Sequence, residues 1–328
     1  MRSETALPRV AFVDHSFHRT SRATDFLHDL LAERAVVERH WDGSWIGEPP
    51  VRLDELVREG GYRVVVLFQL IDRPPRELRL PPGTSLVAVP MADDLPGPFS
   101  LPWRRLARAG ARFLSFSETV HRRLRGMGAN SLHARFYPDP EGLPSPGEDW
   151  SVQRGFFWQR RKRPTWRTVR RLIRGEPFGE FVIHRATDPP GFPLRLPGAA
   201  EVRDLGVRYT DWFPSRADYL REVARCTVYF APRDVEGIGM SFLEAMAMGR
   251  CVVAPDRLVM NEVIRHGENG LLYRPLFPRP LDFSDARGIG ARAREGALRG
   301  HREWLSRREA VADFILGSGA GAGGAGHV

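Results

Sequence analysis

Two doubly wound α/β halves facing a shared cleft are what this sequence predicts, on three observations. Short β-branched and aromatic runs alternate with helix-patterned segments, the arrangement of parallel strands joined by crossover helices. Runs such as residues 64–70 are apolar almost throughout, as expected of strands covered on both faces. A stretch rich in proline, glycine and acid, residues 138–150, then divides the series in two.

A chain of 328 residues is long enough for two ordinary domains and too long for one small core. Its apolar fraction of 42% excludes the disordered classes. Cys226 and Cys251 fall in or beside buried-strand patterns without metal-ligand neighbours, so they read as small core residues of a reducing compartment. No apolar run approaches the ~18 residues of a membrane span, and residues 1–8 form a polar lead without a signal-peptide core. The expected location is the cytoplasm. The net charge of +9 is carried almost wholly by arginine, since Lys162 is the single lysine among 49 basic residues. So broad a bias weakens any individual arginine as a signal, while the overall field draws anions such as nucleotide sugars, lipid phosphates or nucleic acid.

In the first half, residues 9–13 form a strand ending at Asp14. A loop with His15 and His18 leads into an amphipathic helix over 23–33, with Phe26, Leu27, Leu30 and Leu31 on its inner face. Further strands fall at 64–70, 86–89, 113–116 and 132–136. Ser117 is suited to cap a helix over 118–127 by accepting an orphan amide hydrogen. Asp93 and Asp94 follow the 86–89 strand; as loop carboxylates they suit helix capping or pairing with arginine.

The second half repeats the pattern, with strands over 155–158, 181–184, 202–205, 227–230, 251–254 and 270–273. A helix over 215–224 turns Tyr219, Leu220 and Val223 inward, and helical stretches over 292–314 carry Trp304 and Val311, with Ile315 just beyond. The expected divisions are residues 1–148, residues 149–316 with the last helix packing back on the first half, and a Gly/Ala-rich tail over 317–328 expected to be disordered.

The stretch that organises the chain is residues 227–255, which reads strand, glycine-punctuated loop, helix, strand. The loop leaves the carboxyl end of a strand, where ligands bind in open α/β sheets. Glu236 lies in that loop and Glu244 in the early turns of the helix, both able to face one crevice. Gly237 and Gly239 let main-chain N–H groups approach a ligand, and the helix presents its free amides and positive dipole end. Two hydroxyl-binding carboxylates beside an anion-binding helix mouth suit a sugar attached to a diphosphate. Ser241-x-x-Glu244 also reads as a capping box, which explains Glu244 structurally but leaves Glu236 and the paired glycines unexplained.

The run Glu236-Gly-Ile-Gly-Met-Ser-Phe-Leu-Glu244, followed by Ala245-Met-Ala-Met-Gly249, Asn261-Glu-Val-Ile and His266-Gly-Glu-Asn-Gly-Leu-Leu, resembles the donor-binding motif of retaining glycosyltransferases of the GT-B fold, the family-four-like group. The close match covers about forty residues, and the fold-level resemblance most of the chain. It implies Glu236 on sugar hydroxyls, the backbone of Gly237, Ile238, Gly239 and Met240 near sugar and phosphate, and Glu244 on the ribose. It implies Arg160 on the donor diphosphate, with Arg161, Lys162 and Arg163 competing for a second place. His15 and His18 become acceptor contacts, and one of Asp93 and Asp94 orients the acceptor or stabilises developing positive charge. Many relatives carry a histidine near residues 93–94, and this chain has none there.

The implied reaction is retaining transfer from a nucleotide sugar to a glycan, lipid-linked or other hydroxyl acceptor, in bacterial surface polysaccharide synthesis. Neither a metal nor a cofactor beyond the donor is expected. The implied partners are donor, acceptor and, peripherally, an anionic membrane. Alternatives are a same-fold sugar-nucleotide epimerase or phosphorylase, or a non-catalytic basic binder using Arg104, Arg105, Arg108, Arg122, Arg123 and Arg125. Arginine spread without aromatic interleaving argues against sequence-specific nucleic-acid readout.

Overall fold

The computed structural model describes residues 6–69, 79–94, 101–145, 147–187 and 191–317, with Asp94 described in its backbone only. The chain divides into two compact units, Met1–Arg135 with Trp304–Val328, and Phe136–Glu303.

The first unit is built on six parallel strands: β1 (Arg9–His15), β2 (Val36–Asp42), β3 (Val64–Phe68), β4 (Ser85–Val89), β5 (Arg112–Ser115) and β6 (Ser131–His133). Their order is β2-β1-β3-β4-β5-β6. The connections carry α1 (His18–Ser21), α2 (Asp25–Ala32), α3 (Leu53–Glu59), α4 (Leu101–Arg108) and α5 (Glu118–Gly126). All five residues of β3 are buried, as their unbroken apolar run requires. Leu70, expected in that strand, lies outside the described residues. Helix α2 buries Leu27, Leu30 and Leu31 at helical spacing. Ser117 caps α5 by accepting the Val120 amide at 3.3 Å.

The second unit carries β7 (Gln153–Trp158), β8 (Phe178–His184), β9 (Val207–Thr210), β10 (Val228–Phe230), β11 (Cys251–Pro255) and β12 (Leu271–Tyr273), again all parallel. The order is β12-β11-β10-β7-β8-β9, so the chain reverses direction across the sheet between β7 and β10. Its helices are α6 (Trp166–Leu172), α7 (Ala199–Asp204), α8 (Arg216–Arg225), α9 (Met240–Ala247), α10 (Met260–Val263) and the first part of α11 (Ala286–Leu316). One sheet face packs Phe157, Phe181, Phe230 and Val253 against Trp166 of α6 and Phe283. The other face sets Phe156 and Tyr229 against Tyr219 of α8.

The structure corrects two expectations. Residues 202–205 are not a strand: Val202 to Asp204 finish α7, whose start is fixed by the Glu201 carboxylate accepting the Gly198 amide at 3.2 Å. Gly206 then takes a left-handed φ of +53°, and the strand begins at Val207. The division also falls before Phe136 and not at 148/149. Residues 147–150 are held to the second unit: the Gly147 amide donates to the Ala224 carbonyl at 3.1 Å, and the buried Arg250 guanidinium donates to the Gly147 carbonyl at 3.2 Å and lies 5.1 Å over Trp150.

The end of α11 groups with the first unit. Trp304 packs edge-on to Phe26 at 5.7 Å, Arg34 pairs with Asp313 at 2.6 Å, and Arg112 donates to the Ile315 carbonyl at 3.0 Å. Beyond Gly317 the tail lies outside the described residues. Cys226 and Cys251 are buried free thiols.

Candidate functional site

The reversal between β7 and β10 leaves a crevice at the carboxyl ends of these strands, the position where doubly wound sheets take ligands. From β10 the chain runs through Asp234 and Glu236 to α9. Glu236 is buried at 6% exposure; its amide donates to the Leu258 carbonyl at 3.0 Å, and Arg233 lies 3.6 Å from its carboxylate. The mouth of α9 is set by Gly239, whose φ of +82° is left-handed and whose missing side chain leaves room for the Phe242 ring. The first-turn amides of Met240, Ser241 and Phe242 have no carbonyl partner four residues back within the helix.

Gly239 is the residue preceding the helix, so Ser241 sits inside α9 and Ser241-x-x-Glu244 is not a capping box. Glu244 instead faces the inner side at 4% exposure, where its Oε1 pairs with Arg216 of α8. Burial pushes the Glu244 carboxyl up from its ordinary value, and Arg216 pulls it partly back. Gly249, at φ +70°, ends the turn after α9 as its sequence position suggests.

Beside Glu244 stands an aromatic cluster that the sequence does not advertise. Tyr219 and Tyr229 share a hydroxyl contact at 3.2 Å. Trp158, at the end of β7, packs against His184 at 5.2 Å and Tyr219 at 5.7 Å. His184 ends β8, bonds Thr210 at 3.0 Å and stacks on Phe213 at 4.9 Å. Burial pushes the imidazole down to about 4, which keeps it neutral. Trp212 remains 48% exposed at the cluster's edge.

The basic run after β7 is divided. Arg160 is half-buried with its guanidinium 5.1 Å over the Trp158 ring, toward the aromatic cluster. Arg161 is exposed. Lys162 and Arg163 line a cavity of about 750 Å³ on the α6 face, together with Arg171, Arg195, Asp234 and Tyr273. The buried Gln159 amide, oriented by its hydrogen-bond network, exchanges two 3.0 Å bonds with the Arg195 backbone and closes one wall.

Asp93 and Asp94 belong to the first unit, in a one-turn 3-10 segment (Ala92–Asp94) after β4; Asp93 is half-buried. The same unit holds a second polar cluster at the end of β1. Asp14 is fully buried and accepts from Thr24 at 2.5 Å and from the His15 amide at 2.8 Å, with His18 Nδ1 at 2.6 Å. The His15 ring stacks on Trp45 at 4.8 Å.

Residues 180–286 match the family model for glycosyl transferases group 1. No curated protein matches. Among solved structures, sucrose-phosphate synthase from Thermosynechococcus elongatus is similar over 96% of this chain and 100% of its own, with a TM-score of 0.67 and 13% identity. Anabaena HepE, solved with UDP and glucose, is similar over 94% and 100%, with a TM-score of 0.63 and 15% identity. The lipopolysaccharide outer core galactosyltransferase WaaB is similar over 93% and 99%, with a TM-score of 0.59 and 15% identity. Residues 180–286 are therefore similar to glycosyl transferases group 1, within an α/β fold of the GT-B type.

Proposed function

We propose that the protein transfers a sugar from a nucleoside diphosphate donor to a hydroxyl acceptor with retention of configuration. The observation that carries this reading is the pair of buried carboxylates, Glu236 and Glu244, on either side of a left-handed glycine at a helix mouth. Few ligands other than a hydroxylated, phosphate-bearing one suit that combination of acids, bare main chain and helix dipole.

In this proposal Glu236 accepts hydrogen bonds from sugar hydroxyls, and the backbone from Gly237 through Ile238 and Gly239 to Met240 lies along sugar and phosphate. Arg216 engages Oε1 of Glu244 and leaves Oε2 for a ribose hydroxyl. Arg160 balances the charge that gathers on the departing diphosphate, with Arg161 as its second cation, the contribution that matters most at the transition state. Lys162 opens to the α6-side cavity and stands further from this role. The acceptor proton passes to the leaving phosphate, so no separate protein base is assigned. No cofactor is assigned beyond the donor substrate.

HepE, of the same fold, was solved with UDP-glucose, which puts UDP-sugars first in a donor panel. On the acceptor side we assign His15, His18 and Asp93 or Asp94 of the first unit to hydroxyl contacts. A glycan or lipid-linked acceptor for surface polysaccharide, with peripheral contact to an anionic membrane, is the context we propose. Release of nucleoside diphosphate from each donor, with and without an acceptor mixture, tests the reading. Glu236→Ala is expected to abolish release in a chain that still folds, with a lower melting temperature because Arg233 loses a partner; unchanged turnover in that variant would remove the sugar contact.

A further inference from the structure

The two most exposed large apolar side chains among the described residues are neighbours: Leu276 at 67% and Phe277 at 76%. They form the tip of Arg274-Pro-Leu-Phe-Pro-Arg279, directly after β12. The Phe277 amide donates to the Arg274 carbonyl at 3.2 Å, closing a turn with proline in its second position. Two prolines fix φ on either side of the tip, so its apolar pair is held outward with little conformational freedom left to lose on binding.

The charge around this tip is one-sided. Arg274 and Arg279 flank it, both exposed, and neither has an ion-pair partner among the described residues. Leu276 also borders the 750 Å³ cavity that Lys162, Arg163, Arg171 and Arg195 line, and Asp234 is the one carboxylate among its lining residues. Among the described residues none of those four cations lies within 4 Å of a carboxylate, and Arg163 is attracted to Asp234 across the cavity. Elsewhere in the unit arginines are commonly paired, as Arg170 is with Glu201 and Arg185 with Asp211. An apolar tip within a field of excess positive charge is complementary to a surface that is negative outside and apolar beneath.

We propose that residues 274–279 dock the second unit on an anionic lipid bilayer, with Leu276 and Phe277 entering the acyl boundary and the surrounding cations meeting lipid phosphates. This surface is separate from the α4 and α5 arginines; it rests on the membrane contact proposed above and gives it a place in the second unit, while the vesicle test below reads binding without any sugar transfer.

The test is co-sedimentation of the full chain with vesicles of equimolar phosphatidylcholine and phosphatidylglycerol, against phosphatidylcholine alone. Wild type is expected to bind the mixed vesicles only. Leu276→Ser with Phe277→Ser should lower partitioning by about tenfold or more at an unchanged melting temperature. Arg274→Gln with Arg279→Gln should lower it about twenty-five-fold, at roughly fivefold per charge, and flatten its salt dependence. The proposal is overturned if wild type does not bind, or if both loop variants bind as wild type does. It is equally overturned if binding is lost only on replacing Arg122, Arg123 and Arg125 by Gln. Vesicle-independent dimers that dissociate in the Leu276/Phe277 variant would assign the tip to a second copy of the chain instead.

Discussion

Glu244, proposed above as a ligand contact, is also held by a structural partner. Its carboxylate is buried and raised in pKa, so ionisation costs stability that the pairing with Arg216 only partly offsets. Arg216→Ala leaves that acid without its partner and should cost about 2 kcal/mol, short of the roughly 3–5 kcal/mol of a fully buried pair because Arg216 is 42% exposed. Glu244→Gln removes the charge and should leave the urea midpoint at or above wild type. His184 gives a separate signature. Its unfolded form takes a proton below about 6.5, whereas the folded form does so only near 4. Stability should therefore fall as pH drops through that window, by up to about 3 kcal/mol, and level off below it. Urea midpoints between pH 7 and 4 should show this loss in wild type and a shallower one in His184→Gln.

Among the elements, the loop and mouth of α9 are the most constrained. Gly239→Ala adds a methyl where φ is +82° and drives it into the buried Phe242 ring. A destabilisation of about 3 kcal/mol is expected from strain and overpacking together, measurable by urea unfolding, with loss of donor turnover. Element identity was legible where burial was two-sided: β3, β4 and β11 are nearly continuous apolar runs. Strand β2 was not, because it is the sheet edge and its sequence, VVERHWD, is half polar. The candidate site divides between sequence and structure in the same uneven way. Glu236, Glu244 and the glycines lie within one short segment, so their spacing speaks for them. Trp158, His184, Phe213 and Tyr219 come from four separate segments and meet only when β7, β8 and α8 pack. Arg216 does not stand out in the sequence as a partner because arginine is everywhere in this chain.

At the scale of the whole molecule, the two units draw on the chain unequally, since the first recruits its last helical segment from the C-terminal end. Trp304, Val311 and Ile315 are buried there. Truncation after Glu303 should lower the melting transition of the first unit and leave that of the second in place, which calorimetry of the truncated chain would resolve. Among the described residues, no helix is long and apolar enough to cross a membrane.

The most direct measurement for the donor assignment is the melting temperature of wild type and Glu244→Gln with UDP-, GDP-, ADP- and dTDP-glucose. A ligand held only by the folded state at about a hundred times its Kd adds roughly 2.7 kcal/mol and should raise the wild-type midpoint by about 5 °C. At least one donor should do so, and the increment should vanish in Glu244→Gln although that variant is itself as stable as wild type. A donor increment kept in full by Glu244→Gln, or none with any of the four, would contradict the assignment of this helix mouth.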